Sequence, residues 1–129
     1  MTQRTLSFLL IGGSPQAPWV RALYQALATL GKLQLVPEKD AIQTIVENRY
    51  DLVMVDAGAV QEAASLVSNL RVTRSDLRIV VFTSSPTWRR AREALQAGAV
   101  DYVRKSLDEK QTRAVIQSAL ELSPPTPEK

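Results

Sequence analysis

The sequence predicts an α/β domain built on one doubly wound, parallel sheet of five strands. Short apolar runs rich in branched side chains alternate with amphipathic stretches along nearly the whole chain, and these patterns are typical of buried strands and surface helices. A strictly alternating chain places its helices on both faces of a parallel sheet. Because five strand–helix units are too few for a closed eight-stranded barrel, we expect an open sheet with strand order 2-1-3-4-5.

Local patterns predict each strand and most helices. The predicted strands are five apolar segments, at residues 6–11, 33–36, 52–55, 79–82 and, more weakly, 102–103. Amphipathic spacing at i, i+3, i+4 and i+7 predicts helices whose buried faces begin at Val20 and Val60. A last helix is expected around Val115, which shares one face with the apolar residues that follow it.

Capping residues set the expected helix boundaries. Pro18 suits the first position of the first helix, and Gly31 suits the residue just past its end. The fourth helix is expected to begin at Ser85-Pro86 and to end at Gly98. Capping boxes, in which a polar residue is followed three positions later by Glu or Gln, predict two further helix starts: Asp40 with Gln43, and Ser106 with Glu109.

Length and composition fit one globular domain. The chain has 129 residues, of which 45% are hydrophobic and 22% are charged, and a domain of this size buries enough surface to need no disulfide or metal. We assign residues 1–122 to this domain. The segment 123–129 is rich in proline, cannot continue a helix, and is interpreted as a linker stub or a frayed tail.

The absence of two residue types excludes several classes of function. The sequence contains neither cysteine nor histidine, which removes disulfide scaffolds, zinc sites, haem ligation and every His-dependent catalytic triad. The first residues lack the pattern of a signal peptide. No apolar run approaches the roughly 20 residues of a membrane helix. We therefore expect a cytoplasmic protein with no membrane partner.

Positive charge is concentrated in one part of the chain. The net charge is +3, whereas residues 71–113 alone contain ten Lys/Arg against five Asp/Glu, a local excess of +5. Such a region attracts acidic partners or nucleic acid. An excess this small more often marks a solvated face, so nucleic acid is not the expected partner.

Four strand ends supply the candidate site, because ligands of a doubly wound sheet bind outside the carboxyl ends of its strands. A carboxylate, a hydroxyl and an ammonium on that edge suit a phosphoryl group: the carboxylate attacks phosphorus, the hydroxyl binds a phosphoryl oxygen and the lysine neutralises charge. In chain order the residues at these ends are Gly12, Gly13, Ser14, Asp56, Thr83, Ser84 and Lys105.

Each of these residues also has a purely structural interpretation. Asp56 could cap the next helix, Thr83 could close a turn, and Lys105 could be a solvated lysine. Gly12-Gly13 fits a flexible tight turn better than an anion-binding loop, and it lacks the GxGxxG pattern of dinucleotide binders. The phosphoryl hypothesis is favoured because three separate strands deliver complementary groups.

Over residues 5–122 the chain resembles the receiver domains of two-component response regulators. The segment YDLVMVD at 50–56 is similar to the family's third strand, which ends in its phospho-accepting aspartate, here Asp56. The run AGAVDYVRK at 97–105 is similar to the segment that ends in the family's lysine, here Lys105. The resemblance also implies a switch hydroxyl at Thr83, next to Ser84, and an aromatic that rotates on activation at Tyr102. The family's flavodoxin-like fold is the sheet expected above.

Three departures from the family pattern bear on function. In the family, two acidic residues hold Mg²⁺ together with the phospho-acceptor, and here their positions are Gly12 and Gly13. The Met-Pro pair beyond the acceptor is replaced at 59–60, and the proline after the lysine is Ser106, so no cis peptide is expected there. With Asp56 as the only acid placed in the pocket, we expect weak Mg²⁺ binding at most and no other cofactor.

The resemblance implies an interaction face made by the fourth helix, the fifth strand and the fifth helix. We expect Trp88, Arg90, Tyr102 and Arg104 to contact partners there, with Arg113 on the fifth helix. Trp, Tyr and Arg are the residue types enriched at interface hot spots. In the alternative interpretation, Trp88 covers an edge of the core and the arginines are solvated.

We predict an atypical receiver, or pseudo-receiver, that acts as a protein–protein signalling module and not as a multiple-turnover enzyme. The expected partners are an effector domain or signalling protein, a second copy of the chain, or a histidine kinase. The alternative within the family is a receiver that this kinase phosphorylates on Asp56. Further alternatives are nucleic-acid binding through the arginines of the fourth helix and a flavin or cobalamin domain. The latter is disfavoured because histidine and a Ser/Thr-rich phosphate loop are absent.

Overall fold

Five strands form one parallel sheet in the computed structural model, which describes residues 4–124. Their order across the sheet is second, first, third, fourth, fifth, which confirms the predicted doubly wound, flavodoxin-like fold. Each predicted strand lies within an observed one. In chain order the strands are β1 (Leu6–Ile11), β2 (Gly31–Val36), β3 (Leu52–Asp56), β4 (Ile79–Thr83) and β5 (Asp101–Arg104).

Five α-helices within the described residues cover both faces of the sheet. They are α1 (Pro18–Leu27), α2 (Ala41–Glu47), α3 (Ala63–Thr73), α4 (Trp88–Ala97) and α5 (Glu109–Glu121). On one face α1 packs against α5, whereas on the other α2 packs against α3 and α3 against α4. The helices therefore lie in two layers, as expected for a doubly wound sheet.

Alternate side chains of β1 supply both halves of the core. Phe8 and Leu10 belong to the apolar cluster under α1 and α5, and Leu9 and Ile11 belong to the cluster under α2, α3 and α4. All four are fully buried, because successive side chains of a strand point to opposite faces. β3 and β4 are buried along their whole length. The polar residues that end these two strands are therefore buried as well.

Gly31 was predicted to follow the end of α1 directly. This prediction is wrong, because Gly31 begins β2. α1 ends at Leu27, and Gly31 pairs with Leu6 at the start of the β1–β2 ladder. A Cβ atom on Gly31 would overlap the carbonyl oxygen of Leu6. The glycine is therefore explained by the close approach of two strands and not by a helix end.

α4 begins two residues later than predicted. Its N-cap is Thr87, whose Oγ1 accepts a hydrogen bond from the backbone N–H of Arg90 (3.2 Å). Ser85 instead donates its backbone N–H to Oγ1 of Thr83 (3.1 Å), so it stays in the turn after β4. Gly98 ends α4 as predicted, with a left-handed φ of 118°.

The two predicted capping boxes are wrong at the level of the side chains. The N-cap of α5 is Asp108, whose carboxylate accepts two backbone N–H groups of the first turn, and Ser106 accepts the N–H of Asp108 (3.0 Å). Asp40 does precede α2, but its side chain makes no capping hydrogen bond, and a 3-10 turn occupies Glu38–Asp40. A carboxylate next to the first turn accepts these N–H groups better than a more distant serine.

The remaining predictions about the chain concern its tail and membranes. Residues 125–129 of the predicted proline-rich tail lie outside the described residues. No helix between residues 4 and 124 combines the length and the apolar character needed to cross a membrane.

Candidate functional site

Three strands bring the candidate site residues to one edge of the sheet. Asp56 is the last residue of β3 and pairs with Phe82, and Thr83 is the last residue of β4. Lys105 follows β5, and its backbone N–H donates to the carbonyl oxygen of Thr83 (2.8 Å). Because the strands are parallel, all three residues lie at the carboxyl edge.

Asp56 and Lys105 form a buried ion pair at this edge. Lys105 Nζ lies 2.8 Å from Asp56 Oδ1, and the two side chains are only 14% and 6% exposed. The same oxygen accepts the backbone N–H of Gly58 (2.9 Å). Asp56 therefore does not cap α3, which begins only at Ala63, and Lys105 is not a solvated lysine. Removing either partner would leave an uncompensated buried charge.

Trp19 completes the surroundings of the ion pair, although the sequence patterns did not predict it there. Lys105 Nζ lies 4.8 Å from the centroid of the Trp19 ring, within the range of a cation–π interaction. The same ring stacks against Phe82 of β4, with centroids 5.4 Å apart. A signal did exist in the sequence. A helix that follows a parallel strand begins at the carboxyl edge, so the first turn of α1 lies near the site.

The glycine turn after β1 lies on the other side of Asp56. Gly12 and Gly13 both have left-handed φ angles, 80° and 79°, which favour glycine. A Cβ atom on Gly13 would lie 3.6 Å from Asp56 Oδ2, and one on Gly12 would lie only 2.9 Å from the Cβ atom of Ala59. These contacts agree with the tight-turn interpretation, because the turn packs directly against the carboxylate and the loop that follows it.

Comparison with known proteins identifies the family. Residues 33–117 match the model of the response regulator receiver domain. The chain belongs to the response regulator receiver family. The DNA-binding transcriptional regulator NtrC of Azospirillum brasilense is 29% identical to it over 106 residues, which cover 80% of this chain and 22% of that regulator. This receiver therefore spans about a fifth of the length of that relative.

Solved structures share the fold of this receiver at lower identity. A response regulator from Thermotoga maritima matches with a TM-score of 0.78 and 20% identity, covering 92% of this chain and 100% of the other. An orphan response regulator of H. pylori has a TM-score of 0.77 and 24% identity, covering 90% and 97%. An atypical orphan response regulator has a TM-score of 0.75 and 23% identity, covering 93% and 100%. These similarities establish the fold of the receiver.

The two hydroxyls after β4 lie in different environments. Thr83 is buried, and its Oγ1 accepts the backbone N–H of Ser85 (3.1 Å). Thr83 therefore closes a turn, as its structural interpretation predicts. Ser84 is exposed, and the structure gives its side chain no hydrogen bond to Asp56 or Lys105. Contact of either hydroxyl with a phosphoryl group stays a prediction.

Tyr102 of the receiver points inward from β5. Its ring packs against the apolar cluster under α2, α3 and α4. The hydroxyl is buried and finds no hydrogen-bond partner among residues 4–124, which is uncommon because buried polar groups are nearly always paired. Rotation of Tyr102 on activation stays a prediction.

The expected interaction face is exposed on α4 and at Arg104 of β5, whereas Tyr102, which was also expected to contact partners there, points towards the core. Trp88 begins α4 with 78% of its surface exposed, and the guanidinium of Arg92 lies 5.7 Å from its ring centroid. The interpretation of Trp88 as a cover for the core is therefore wrong. Arg90 and Arg104 are exposed as well. Arg113 does not share this face freely, since its Nε–H donates to the carbonyl oxygen of Ala26 on α1 (3.2 Å).

Carboxylates are sparse around the receiver's site. Within residues 4–124, no three side chains of the His, Cys, Asp or Glu types are grouped so that they could hold a metal ion. The carboxylate of Asp56 already accepts the Lys105 ammonium and the Gly58 N–H. The local chemistry is that of an occupied ion pair.

Proposed function

We propose that this chain is an atypical receiver, a pseudo-receiver, that signals through protein contacts without normal Mg²⁺-dependent phosphorylation. Gly12 and Gly13, which provide no side-chain carboxylate beside Asp56, carry this proposal, and the ion pair between Asp56 and Lys105 is consistent with it. In this arrangement the would-be phospho-acceptor is already neutralised from within the chain. A buried pair of this kind favours a single state of the pocket over two states of similar energy.

The residues at the site do not fit a resident Mg²⁺ ion. Mg²⁺ is held by oxygen ligands in near-octahedral geometry, usually one or two carboxylates plus phosphate. Gly12 and Gly13 contribute no side-chain oxygen, and Lys105 occupies the Asp56 oxygen Oδ1. We infer that the receiver needs no cofactor. Titration with Mg²⁺, followed by amide NMR shifts around Asp56, should show no saturation at low millimolar concentration, and saturation there would contradict the inference.

One structural relative supports a route without phosphorylation. The atypical orphan response regulator described above, at 23% identity, is reported to have a phosphorylation-independent regulatory mechanism. We infer the same class of regulation here, because the local geometry of Asp56 supplies an independent reason for it. The finding on that relative concerns a different protein and lends support by analogy only.

The second candidate function is a receiver that a histidine kinase phosphorylates on Asp56. The convergence of Asp56, Thr83 and Lys105 at one edge favours it, since this triad suits nucleophilic attack on phosphorus. A relative from Burkholderia pseudomallei, 21% identical, carries a phosphorylated aspartic acid. In this case the lysine would turn from Asp56 towards the transferred phosphoryl group.

A labelling experiment separates the two candidates. Incubation with acetyl phosphate or with beryllofluoride should leave the amide NMR spectrum of the receiver nearly unchanged. Asp56→Asn, which removes the nucleophile and keeps the size of the side chain, is the matched control. Stoichiometric, hydroxylamine-labile labelling that disappears in Asp56→Asn would overturn the proposal and establish the second candidate.

We propose that the working surface is the face around Trp88, Arg90, Tyr102 and Arg104. Exposed Trp and Arg next to each other are typical of binding hot spots, and the positive charge favours an acidic partner or a second copy with an acidic patch. The partner is an effector domain or signalling protein in the cytoplasm. Nucleic acid is disfavoured because the local excess of positive charge is small.

Removing two side chains from this face tests the proposed surface. Trp88→Ala with Arg90→Ala should weaken partner binding or dimerisation by about 30-fold or more, with an unchanged circular dichroism spectrum. A salt series distinguishes nucleic acid, whose binding would fall steeply with ionic strength through counterion release. Binding at wild-type strength in the double variant would move the interface elsewhere.

A further inference from the structure

A groove between α3 and α4 lies beside the pocket of Asp56 and is separate from it. Its volume is about 700 Å³, within the range of about 300–1,000 Å³ found for small-molecule sites. The only residue that α4 buries is Ala94, so α4 sends no large side chain into this groove. Its apolar lining consists of Ala57, Ala63, Ala64, Ala94 and the ring of Tyr102.

The charges that line the groove are not all neutralised. Arg89 and Glu93 form an ion pair one turn apart on α4 (3.6 Å). Arg90 lines the same wall, and no ion pair to it exists among the described residues. Glu62 lies on the opposite wall, just before α3. A ligand therefore meets one available guanidinium on the α4 wall and one carboxylate across from it.

Tyr102 adds an unsatisfied polar group to the groove. Its ring is part of the lining, and its buried hydroxyl has no partner within residues 4–124. A buried hydroxyl without a hydrogen bond is costly. A small rotation of the ring towards the groove would give this hydroxyl an acceptor, if a bound molecule provides one.

We propose that this groove binds a small organic anion, a carboxylate or phosphate monoester with a compact apolar body. The anionic end binds the guanidinium of Arg90 and accepts a hydrogen bond from the Tyr102 hydroxyl. The apolar body lies on the alanine lining. Glu62 repels the anionic end and thereby orients the ligand towards α4. The site goes beyond the proposed function, because it gives the receiver an input adjacent to Tyr102 and to the proposed partner face on α4.

NMR titration of the intact chain tests the proposal with two probes, benzoate and phenyl phosphate. We expect saturable amide shifts centred on Ala63, Ala64 and Tyr102 for at least one probe, which also tells a carboxylate site from a phosphate site. Arg90→Ala should weaken binding about tenfold or more, since a charged hydrogen bond is lost. Glu62→Gln should strengthen it, because a like charge across the groove is removed.

Three further variants separate the groove from general surface charge. Ala64→Leu fills the groove while keeping every charge, and it should abolish the shifts. Arg21→Ala and Lys32→Ala remove exposed charged side chains that do not line the groove, and both should bind the probes like the wild type. Shifts that fail to saturate below about 10 mM, or that are unchanged in Arg90→Ala, would overturn the inference.

The two proposals fail separately. Probe binding does not depend on the phosphorylation of Asp56, so the absence of binding overturns the groove site and leaves the pseudo-receiver proposal intact. Conversely, stoichiometric labelling of Asp56 by acetyl phosphate overturns the pseudo-receiver proposal and leaves the groove site intact.

Discussion

Two ion pairs lie at opposite edges of the same sheet, and they differ in how much water reaches them. At the carboxyl edge the side chains of Lys105 and Asp56 are 14% and 6% exposed. At the amino edge Arg4 pairs with Asp51, and their side chains are 71% and 17% exposed. Asp51 also accepts the backbone N–H of Ser7 (2.8 Å), as Asp56 accepts that of Gly58. Each carboxylate therefore accepts one cation and one backbone N–H, and burial of the cation is the larger difference between the pairs.

The difference in exposure determines how much each ion pair matters in the receiver. Exposed pairs contribute little because water competes for both ions, whereas breaking a buried pair leaves a charge that no solvent stabilises. The exposed pair links Arg4 to Asp51 at the amino edge of the sheet. The buried pair instead places a counter-ion beside the carboxylate of Asp56.

The largest effect is expected from Lys105→Met. This change leaves the buried carboxylate of Asp56 without a counter-ion, and it should lower the free energy of unfolding by about 3 kcal/mol. Urea denaturation measures it. The matched control is Lys110→Met, an exposed lysine on α5, which should change stability by less than about 0.5 kcal/mol. If both variants lose the same amount, the ion pair does not contribute as argued.

Replacing the aromatic roof of the pocket should have a smaller effect. Trp19→Leu removes the cation–π contact with Lys105 and the stacking on Phe82, for an expected loss of about 1–2 kcal/mol. Trp88→Leu changes the chain's other tryptophan, which is 78% exposed, and should leave the unfolding midpoint nearly unchanged. Equal losses in the two variants would remove Trp19 from the site.

The contrast between the two tryptophans also shows which parts of the fold and of the site the sequence predicts. All five strands were predicted because buried parallel strands are continuous apolar runs, and the strand ends then pointed to Asp56, Thr83 and Lys105. Trp19 was missed because its role depends on a long-range contact with Phe82 and Lys105. Neither amphipathic spacing nor capping contains that information.

The capping errors have a different physical origin. Ser, Thr and Asp within a few residues of a helix start compete for the same free N–H groups. The local sequence does not determine which of these side chains caps the helix. Thr87, and not Ser85, is the N-cap of α4, because the backbone N–H of Ser85 is bonded to Thr83 in the preceding turn. Gly31 was misjudged because its space is limited by Leu6 of the neighbouring strand. The first error therefore comes from a competing local hydrogen bond, and the second from a tertiary contact between strands.

At the amino edge, Asp51→Asn should show a pH-dependent loss of stability. Burial opposes ionisation of Asp51, but hydrogen bonds from Arg4 and Ser7 and the charges of Arg4 and Arg78 outweigh it and hold the pKa of Asp51 below its usual value. A lowered carboxyl pKa stabilises the fold above the ordinary pKa, and this contribution disappears as the pH falls through the folded value.

The expected loss for Asp51→Asn is about 1 kcal/mol at neutral pH, measured by urea denaturation. The difference from wild type should shrink as the pH falls below about 4, the ordinary range of an aspartate. Asp76→Asn, an exposed aspartate lining the same surface depression, is the control. A difference that stays constant down to pH 2 would mean that the charge of Asp51 is not what stabilises this edge.

The smallest effect is expected from Arg4→Ala. Because 71% of the Arg4 side chain is exposed, its pairing with Asp51 should contribute little to stability, and salt should screen that contribution. Urea denaturation at low and at roughly 1 M salt measures this, since the Debye length falls to about 3 Å at 1 M. The loss should be detectable at low salt and vanish at high salt, with Arg21→Ala, an exposed arginine on α1, showing neither. A loss that persists at high salt would show that Arg4 stabilises the sheet edge by packing, and the contrast between the two edges would then rest on more than exposure to water.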